Sequence, residues 1–519
     1  MSIKEPDGGQ ARGLQPQVFW GALAIVLILL IAAMVAGDSF ENIASDVQSS
    51  ISTSAGWFYV LAVNSFLAFA IYLAFSRFGN IRLGTDDSKP EFSTLSWFAM
   101  LFSAGMGIGL VFFGVAEPIY HYLAPPIGEG ETVEAARQSM STTFLHWGFH
   151  AWAIYAVVGL AVAYFAFRHN LPLSIRSTFY PLLGERVHGI CGHLIDFIAI
   201  GATLCGVATS LGLGAQQIHS GLTFLFGLTN SNEPFAIGLS QNQGIQILLI
   251  GSITAVATIS VVLGLRAGIL RLSKLNIGAA GLLLLFVLVT GPTVFLLSSL
   301  IQNIGEYLSV LPQIATWTES FSSAANPDGE KWQNSWTVFY WGWWISWSPF
   351  VGIFIARISK GRTVRQFIGG VLLAPAVATF VWLSVFGGTA LHGALSGDDS
   401  VAKAVASDVP TSLFVMLQQL PAGEIACGLA TLVILVFFVT SSDSASLVID
   451  TIASGGNPDP PKWQRIFWAV LEGAIAATLL VLGGLTALQT ASIATGLPFA
   501  IVLLFMCLSL LKGLRQERQ

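Results

Sequence analysis

Four tryptophans within seven residues, Trp341, Trp343, Trp344 and Trp347, run into Ser348 and Pro349 inside an otherwise apolar stretch. On a helix, Trp343, Trp347, Phe350 and Phe354 follow an i, i+4, i+7, i+11 course and make one face an aromatic stripe, while Trp341 and Trp344 share a neighbouring face. Ring faces of this kind attract a cation that carries no hydrogen-bond donors, and indole is the best of them. A second aromatic stretch holds His146, Trp147, His150, Trp152 and Tyr155. Trp152 and Tyr155, three apart, can share a helix face. Trp147 lies about 80° round from Tyr155 on an ideal helix, so helix geometry by itself does not gather all three. Neither stretch contains the carboxylate that an ordinary ammonium would call for. The pattern points to a quaternary, methylated onium group. The competing reading is a belt of tryptophans at headgroup level. A belt would set one or two rings at a helix end, not four running into a Ser-Pro break, where Pro349 leaves a carbonyl without its helical donor.

Two further stretches carry chemistry suited to a small cation. Residues 103–109, Ser103-Ala104-Gly105-Met106-Gly107-Ile108-Gly109, place three glycines at alternate positions. Each disfavours helix by about 1 kcal/mol relative to alanine, so local unwinding could free carbonyls for an ion. Close helix packing through small residues is the alternative. Residues 437–446, Phe437-Phe438-Val439-Thr440-Ser441-Ser442-Asp443-Ser444-Ala445-Ser446, put five hydroxyls and an acid into an apolar segment. Intramembrane polar groups of this density are expensive. They point to hard-oxygen coordination, against the plainer reading that the hydroxyls back-bond to their own helix. Asp443 could support such ligands from behind, carry a proton, or face cytoplasmic water, and the first role is favoured. Glu117, beside Pro118, reads as a structural hydrogen-bonding residue rather than a substrate ligand.

The elements that position these residues are membrane helices. Of 519 residues 54% are hydrophobic and only 10% charged, with a mean hydropathy of +0.72. A soluble domain carries about a quarter charged residues, so lipid is the expected solvent. The formal charge of −5 suggests no nucleic-acid partner. Cys191, Cys205, Cys427 and Cys507 show no metal-type spacing and read as packing thiols. Runs of about 20 apolar residues predict twelve spans, at 18–36, 57–78, 95–120, 140–167, 190–218, 243–263, 275–300, 336–358, 364–387, 424–449, 464–483 and 488–511, with an amphipathic helix outside the membrane at 301–318. The first run is longer than a signal-peptide core of about 7–15 residues. With both termini inside, all but three of the 23 basic residues (Arg137, Lys331 and Lys403) fall in cytoplasmic segments, as the positive-inside rule requires. No filter of repeated carbonyls or charged rings argues for a channel. The spacing of His146, His150, Glu117 and Asp443 matches no hydrolytic motif, so no enzyme and no catalytic residue is expected.

GMGIG at 105–109, WGFHAWAIY at 147–155, WGWWISWSPFVG at 341–352, ARISKGRT at 356–363 and FFVTSSDSAS at 437–446 resemble the betaine/choline/carnitine transporter family over nearly the whole chain. The resemblance implies an all-α membrane protein with a LeuT-like core of two inverted five-helix repeats, since repeating an odd number of spans flips the second copy. Its parts would be a short cytoplasmic tail at 1–17, two peripheral helices at 18–94, a first repeat at 95–300, an external amphipathic helix and loop at 301–335, a second repeat at 336–511 and a cytoplasmic tail at 512–519. It further implies an aromatic box of Trp147, Trp152, Tyr155 and Trp344, with Trp343, Trp347, Met106 and Gly109 adjoining it. Phe112, Phe350 and Phe354 would narrow the pathway. One sodium would sit on carbonyls near Ser103, Met106 and Phe437 and on the hydroxyls of Thr440 and Ser441. A second would use Thr203 and Phe350, although the family's other threonine is replaced here by Val207, with Thr209 as a substitute. A fifth span without Lys or Arg and Gly109 in place of an aspartate argue for a net-neutral substrate and sodium dependence. The expected activity is sodium-coupled uptake of a betaine-type trimethylammonium or dimethylsulfonium zwitterion across the inner membrane, with proton-coupled choline uptake as the alternative. Sodium ions are expected as the coupling ions, no organic cofactor is expected, and the family implies a homotrimer. The eight residues after Leu511 make osmosensing through a long basic tail unexpected.

Overall fold

The computed structural model describes residues 14–517, apart from 106, 228–233, 237–238, 264–265, 326–330 and 458–459. The side chains of 38, 102–105, 234–236, 239, 260–263 and 266–273 also lie outside the description. Among the described residues the regular structure is helical, save a short hairpin pairing Pro234–Ala236 with Leu239–Ser240. The main helices are α1 (Pro16–Ala36), α2 (Phe40–Phe75), α3 (Thr94–Gly105), α4 (Ile108–Leu123), α5 (Val133–Trp147), α6 (Phe149–His169) and α7 (Ile190–Phe226). They continue with α8 (Gln241–Leu263), α9 (Arg266–Thr290), α10 (Thr293–Thr316), α11 (Thr337–Arg357), α12 (Val364–Leu395), α13 (Gly423–Ala453) and α14 (Lys462–Gln516). Nine helical stretches among the described residues are long and apolar enough to cross a membrane.

Each expected span falls on helix, but the helices are cut differently. The third expected span is two helices, broken where Gly107 is extended at φ −126°, ψ −174°, as the unwinding reading anticipates. The fourth is also two, α5 and α6, separated by Gly148 at φ −97°, ψ −137°. A Cβ on Gly148 would press on the ring of Phe380, 2.9 Å away. The expected boundary between a span ending at 300 and an amphipathic helix starting at 301 is corrected to Gly291–Pro292. Proline disfavours helix in the residue before it and lacks the donor to continue, and the Thr293 hydroxyl donates to the Leu288 carbonyl at 2.7 Å. The Ser-Pro break expected in the eighth span is absent: α11 runs through Pro349. The carbonyl four residues before the proline, on Ile345, receives the Ser348 hydroxyl at 2.7 Å instead. The last two expected spans join in α14 across a kink at Gly483 and Gly484, the latter at φ +55°.

Lipid-compatible surface and core separate along these helices. Trp20, Ile28 and Val35 on α1, and Leu282 and Val289 on α9, are each more than half exposed. No water-soluble fold leaves so many large apolar side chains outward over whole helix faces. By contrast α11 is buried on every side and packs on α6, α7 and α14. At its C-terminal end the loop after α11 is clasped to the loop after α2. Leu83 N–H donates to Arg362 O (2.8 Å), Gly361 N–H to Leu83 O (2.7 Å) and Val364 N–H to Ile81 O (2.9 Å), while the Arg362 guanidinium lies 4.0 Å over the Trp97 ring.

Candidate substrate site

The break at Gly148 explains how rings that one straight helix would spread come together. Trp147 is the last residue of α5, and Trp152 and Tyr155 follow on α6 after the chain has turned. Trp344 of α11 links them. Its ring centroid is 4.8 Å from Trp147 at 72° and 6.3 Å from Tyr155 at 78°, and Trp152 is 5.5 Å from Tyr155 at 81°. All four side chains are buried, and the edge-on pairings suit aromatic quadrupoles. The Trp344 indole donates to the His146 carbonyl at 2.8 Å, an acceptor at the frayed end of α5. Trp343 stacks on Trp344 at 4.7 Å and 12°, and its indole donates to Gly206 O at 3.2 Å. Gly109 sits under this group, because a Cβ there would collide with the six-membered rings of Trp343 and Trp147. Close approach, not flexibility alone, is what glycine supplies at 109.

Trp347 packs edge-on to Phe350 at 5.4 Å, with Gly206 and Gly107 against it. Phe112 is fully buried beside Phe113, and Phe354 is half-buried. Trp341, three residues before Trp344 on the same helix, packs against His146 and His150 at 5.9 and 5.8 Å.

The sequence reading missed the polar cage behind the rings. Glu117 is completely buried. Its Oε1 receives His146 Nδ1 at 2.7 Å and His121 Nε2 at 3.2 Å, and its Oε2 receives the Trp147 indole N–H at 2.6 Å and the Tyr340 hydroxyl at 2.5 Å. His146 Nε2 meets the Thr337 hydroxyl at 3.0 Å. Tyr340 also stacks on Trp344 at 5.8 Å. The ligand-type atoms of Glu117, His121 and His146 lie within 4.8 Å of one another, a spacing a metal could use. Yet all four lone-pair directions of the carboxylate already have donors, so the arrangement reads as a satisfied anion. The sequence reads Glu117 as a structural hydrogen-bonding residue rather than a substrate ligand, and here it makes four hydrogen bonds. Tyr340, one turn before Trp344, was the available signal for its partner.

The residues expected around cations are only partly brought together. Met106 and the side chain of Ser103 lie outside the described residues. On α13, which is unbroken, the Thr440 hydroxyl donates to Val436 O at 2.9 Å and lies 3.2 Å from Phe437 O. That is intrahelical back-bonding. Phe437 is buried and Ser441 half-buried. Ser442 reaches Glu472 Oε2 at 3.4 Å, and the Ser446 hydroxyl donates to the Asp443 backbone carbonyl at 3.0 Å. Thr203 donates to Ala199 O at 2.8 Å on α7, which packs on the helix carrying Phe350. Thr209, the suggested substitute, instead bonds Cys205 O, Leu488 O and Ser492 and thereby ties α7 to α14.

Residues 17–519 match the family described as BCCT, betaine/carnitine/choline family transporter. The chain is 50% identical over 525 residues to an uncharacterized transporter of Mycobacterium tuberculosis, covering 99% of this chain and 86% of that protein. It is 47% identical over 504 residues to the glycine betaine transporter OpuD of Bacillus subtilis, covering 97% and 95%. It is 43% identical over 504 residues to the osmo-dependent choline transporter BetT2 of Acinetobacter baylyi, covering 96% and 71%. The chain belongs to the betaine/carnitine/choline transporter family and is a multi-pass membrane transporter, not an enzyme.

Proposed function

We propose that the chain takes up a betaine-type trimethylammonium or dimethylsulfonium zwitterion, driven by sodium, by alternating access. The observation that carries this reading is the four-ring group of Trp147, Trp152, Tyr155 and Trp344, buried and contributed by α5, α6 and α11. A methylated onium has no N–H to offer a carboxylate, so it binds through ring faces. In this reading two peripheral spans precede two inverted five-helix repeats, both termini lie in the cytoplasm, and the onium head sits between the α5–α6 break and α11. Thr440, Ser441 and the carbonyls of Ser103, Met106 and Phe437 hold the sodium that favours the substrate-accepting state, which shifts the population toward it. Thr203 and Phe350 hold a second sodium.

Uptake into proteoliposomes of labelled glycine betaine, dimethylsulfoniopropionate, carnitine and choline, with an inward sodium gradient or with potassium in its place, tests this. Accumulation of betaine only under the sodium gradient is the expected result, and betaine that fails to accumulate refutes it. Proton-coupled choline uptake is a second reading, favoured by the likeness to a protein named as a choline transporter. It predicts choline accumulation under a pH gradient in potassium.

A further inference from the structure

We infer that Glu117 is a specificity-determining positioning residue: its buried negative charge, relayed through the Trp147 indole, is what biases the ring group toward a positively charged occupant over a neutral one of the same shape. This rests on the onium reading of the ring group and goes beyond it, because ring faces alone would supply some preference for charge without any carboxylate.

Glu117 is fully buried, and no arginine or lysine is among its partners in the described residues. Its donors are Tyr340, Trp147 and two imidazoles. Neutral histidines account for every bond: His146 donates from Nδ1 and accepts the Thr337 hydroxyl at Nε2, and His121 donates from Nε2 while its Nδ1 has no partner among the described residues. No acceptor among the described residues stands ready for a second N–H at His121 Nδ1, so the neutral ring fits, and the cluster retains one net negative charge. Such a charge inside low-dielectric surroundings is felt strongly by its neighbours. The nearest ring to receive it is Trp147, whose N–H meets Oε2 at 2.6 Å, the length of a charge-assisted bond. A donor bond to an anion pushes electron density into the indole and deepens the negative face that Trp147 offers beside Trp344. The second connection is positional. His146, held by Glu117, presents the carbonyl that receives the Trp344 indole at 2.8 Å. One carboxylate thus sets the charge of one ring and the placement of another, without touching the occupant.

The test separates charge from shape. Glycine betaine and 3,3-dimethylbutanoate have the same outline, but a tert-butyl group replaces the trimethylammonium in the second. Dissociation constants for both are measured by calorimetry on the purified full chain at saturating sodium. The wild type should bind betaine at least ~10-fold more tightly, and equal affinities would sink the onium reading itself. Glu117→Gln removes the charge and keeps the bonds around residue 117, leaving one N–H at His121 Nδ1 without an acceptor among the described residues. Its carbonyl oxygen can face Trp147 and Tyr340, and its amide can face histidines that have exchanged tautomers. The betaine preference should then fall at least ~5-fold while dimethylbutanoate binding holds or tightens, by the usual size of a desolvated cation–π contribution. Glu117→Asp, which keeps the charge, should recover most of the preference. Should Glu117→Gln not fold, His121→Lys cancels the charge by pairing it and should produce the same fall. If both ligands weaken together, or neither changes, Glu117 is structural only and the inference is wrong.

Discussion

The ring group of α5, α6 and α11 and the hydroxyl-rich stretch of α13 both carry polar chemistry through an apolar interior, and they satisfy it by opposite means. Around the rings, partners come from far apart in sequence, with Tyr340 bonding Glu117 across 223 residues. Apart from His121 to Glu117, which stays within α4, these bonds fix one helix against another, and those made to the carboxylate are the strong, charge-assisted kind. On α13, Thr440 and Ser446 bond carbonyls within their own turn. Bonds of that sort are worth about 0.5–1.5 kcal/mol net and fix nothing beyond the helix. One region is built before its ligand arrives. The other holds oxygens that an ion could recruit at small cost, which suits a site formed only in one state of a transport cycle.

Changes that strip the prebuilt region should have the larger effects. Trp344→Leu removes the ring shared by Trp147 and Tyr155 and should weaken betaine binding about 100-fold, near the upper end of what a desolvated cation–ring contact and its packing supply; calorimetry at saturating sodium reads it. A loss below threefold would mean the rings are packing alone. Gly109→Ala forces a methyl into Trp343 and Trp147. We expect about 10-fold weaker betaine binding, from the 1–3 kcal/mol that overpacking costs, with a melting temperature that shows the protein still folded. Thr440→Ala should leave betaine affinity in saturating sodium within about twofold and raise the sodium concentration for half-maximal uptake about 5-fold, a fraction of one lost oxygen ligand on the affinity scale. If sodium dependence is unmoved, the hydroxyl serves its helix only. Ser348→Ala is the smallest case. It exposes the Ile345 carbonyl beside Pro349 and should lower stability by about 1 kcal/mol, read as a small drop in melting temperature, with sodium dependence unchanged.

What could be read in the sequence was whatever periodicity and residue type carry. The apolar runs located the helices, and the tryptophans of 341–347 and 147–152 located the rings. Local breaks were legible where three glycines clustered at 105–109 and illegible at Gly148, where one glycine between two apolar runs looks like any helix glycine. Pro349 was read as a break because proline removes a donor, but nothing in the pattern announces that Ser348 will supply a replacement. The cage around Glu117 needed three helices in register. Each of its members, taken singly along the chain, is an ordinary polar residue beside aromatic ones, and only tertiary packing turns them into one unit.

The clasp between the loops at 81–83 and 361–364 bears on how such a molecule can rock. Three backbone bonds and a guanidinium laid on Trp97 weld the exit of α2, the start of α3 and the α11–α12 turn into a single stiff corner. Parting α11 from α2 and α3 there would have to tear a small β-like seam, so a movement that spares the seam carries these three helix ends as one unit.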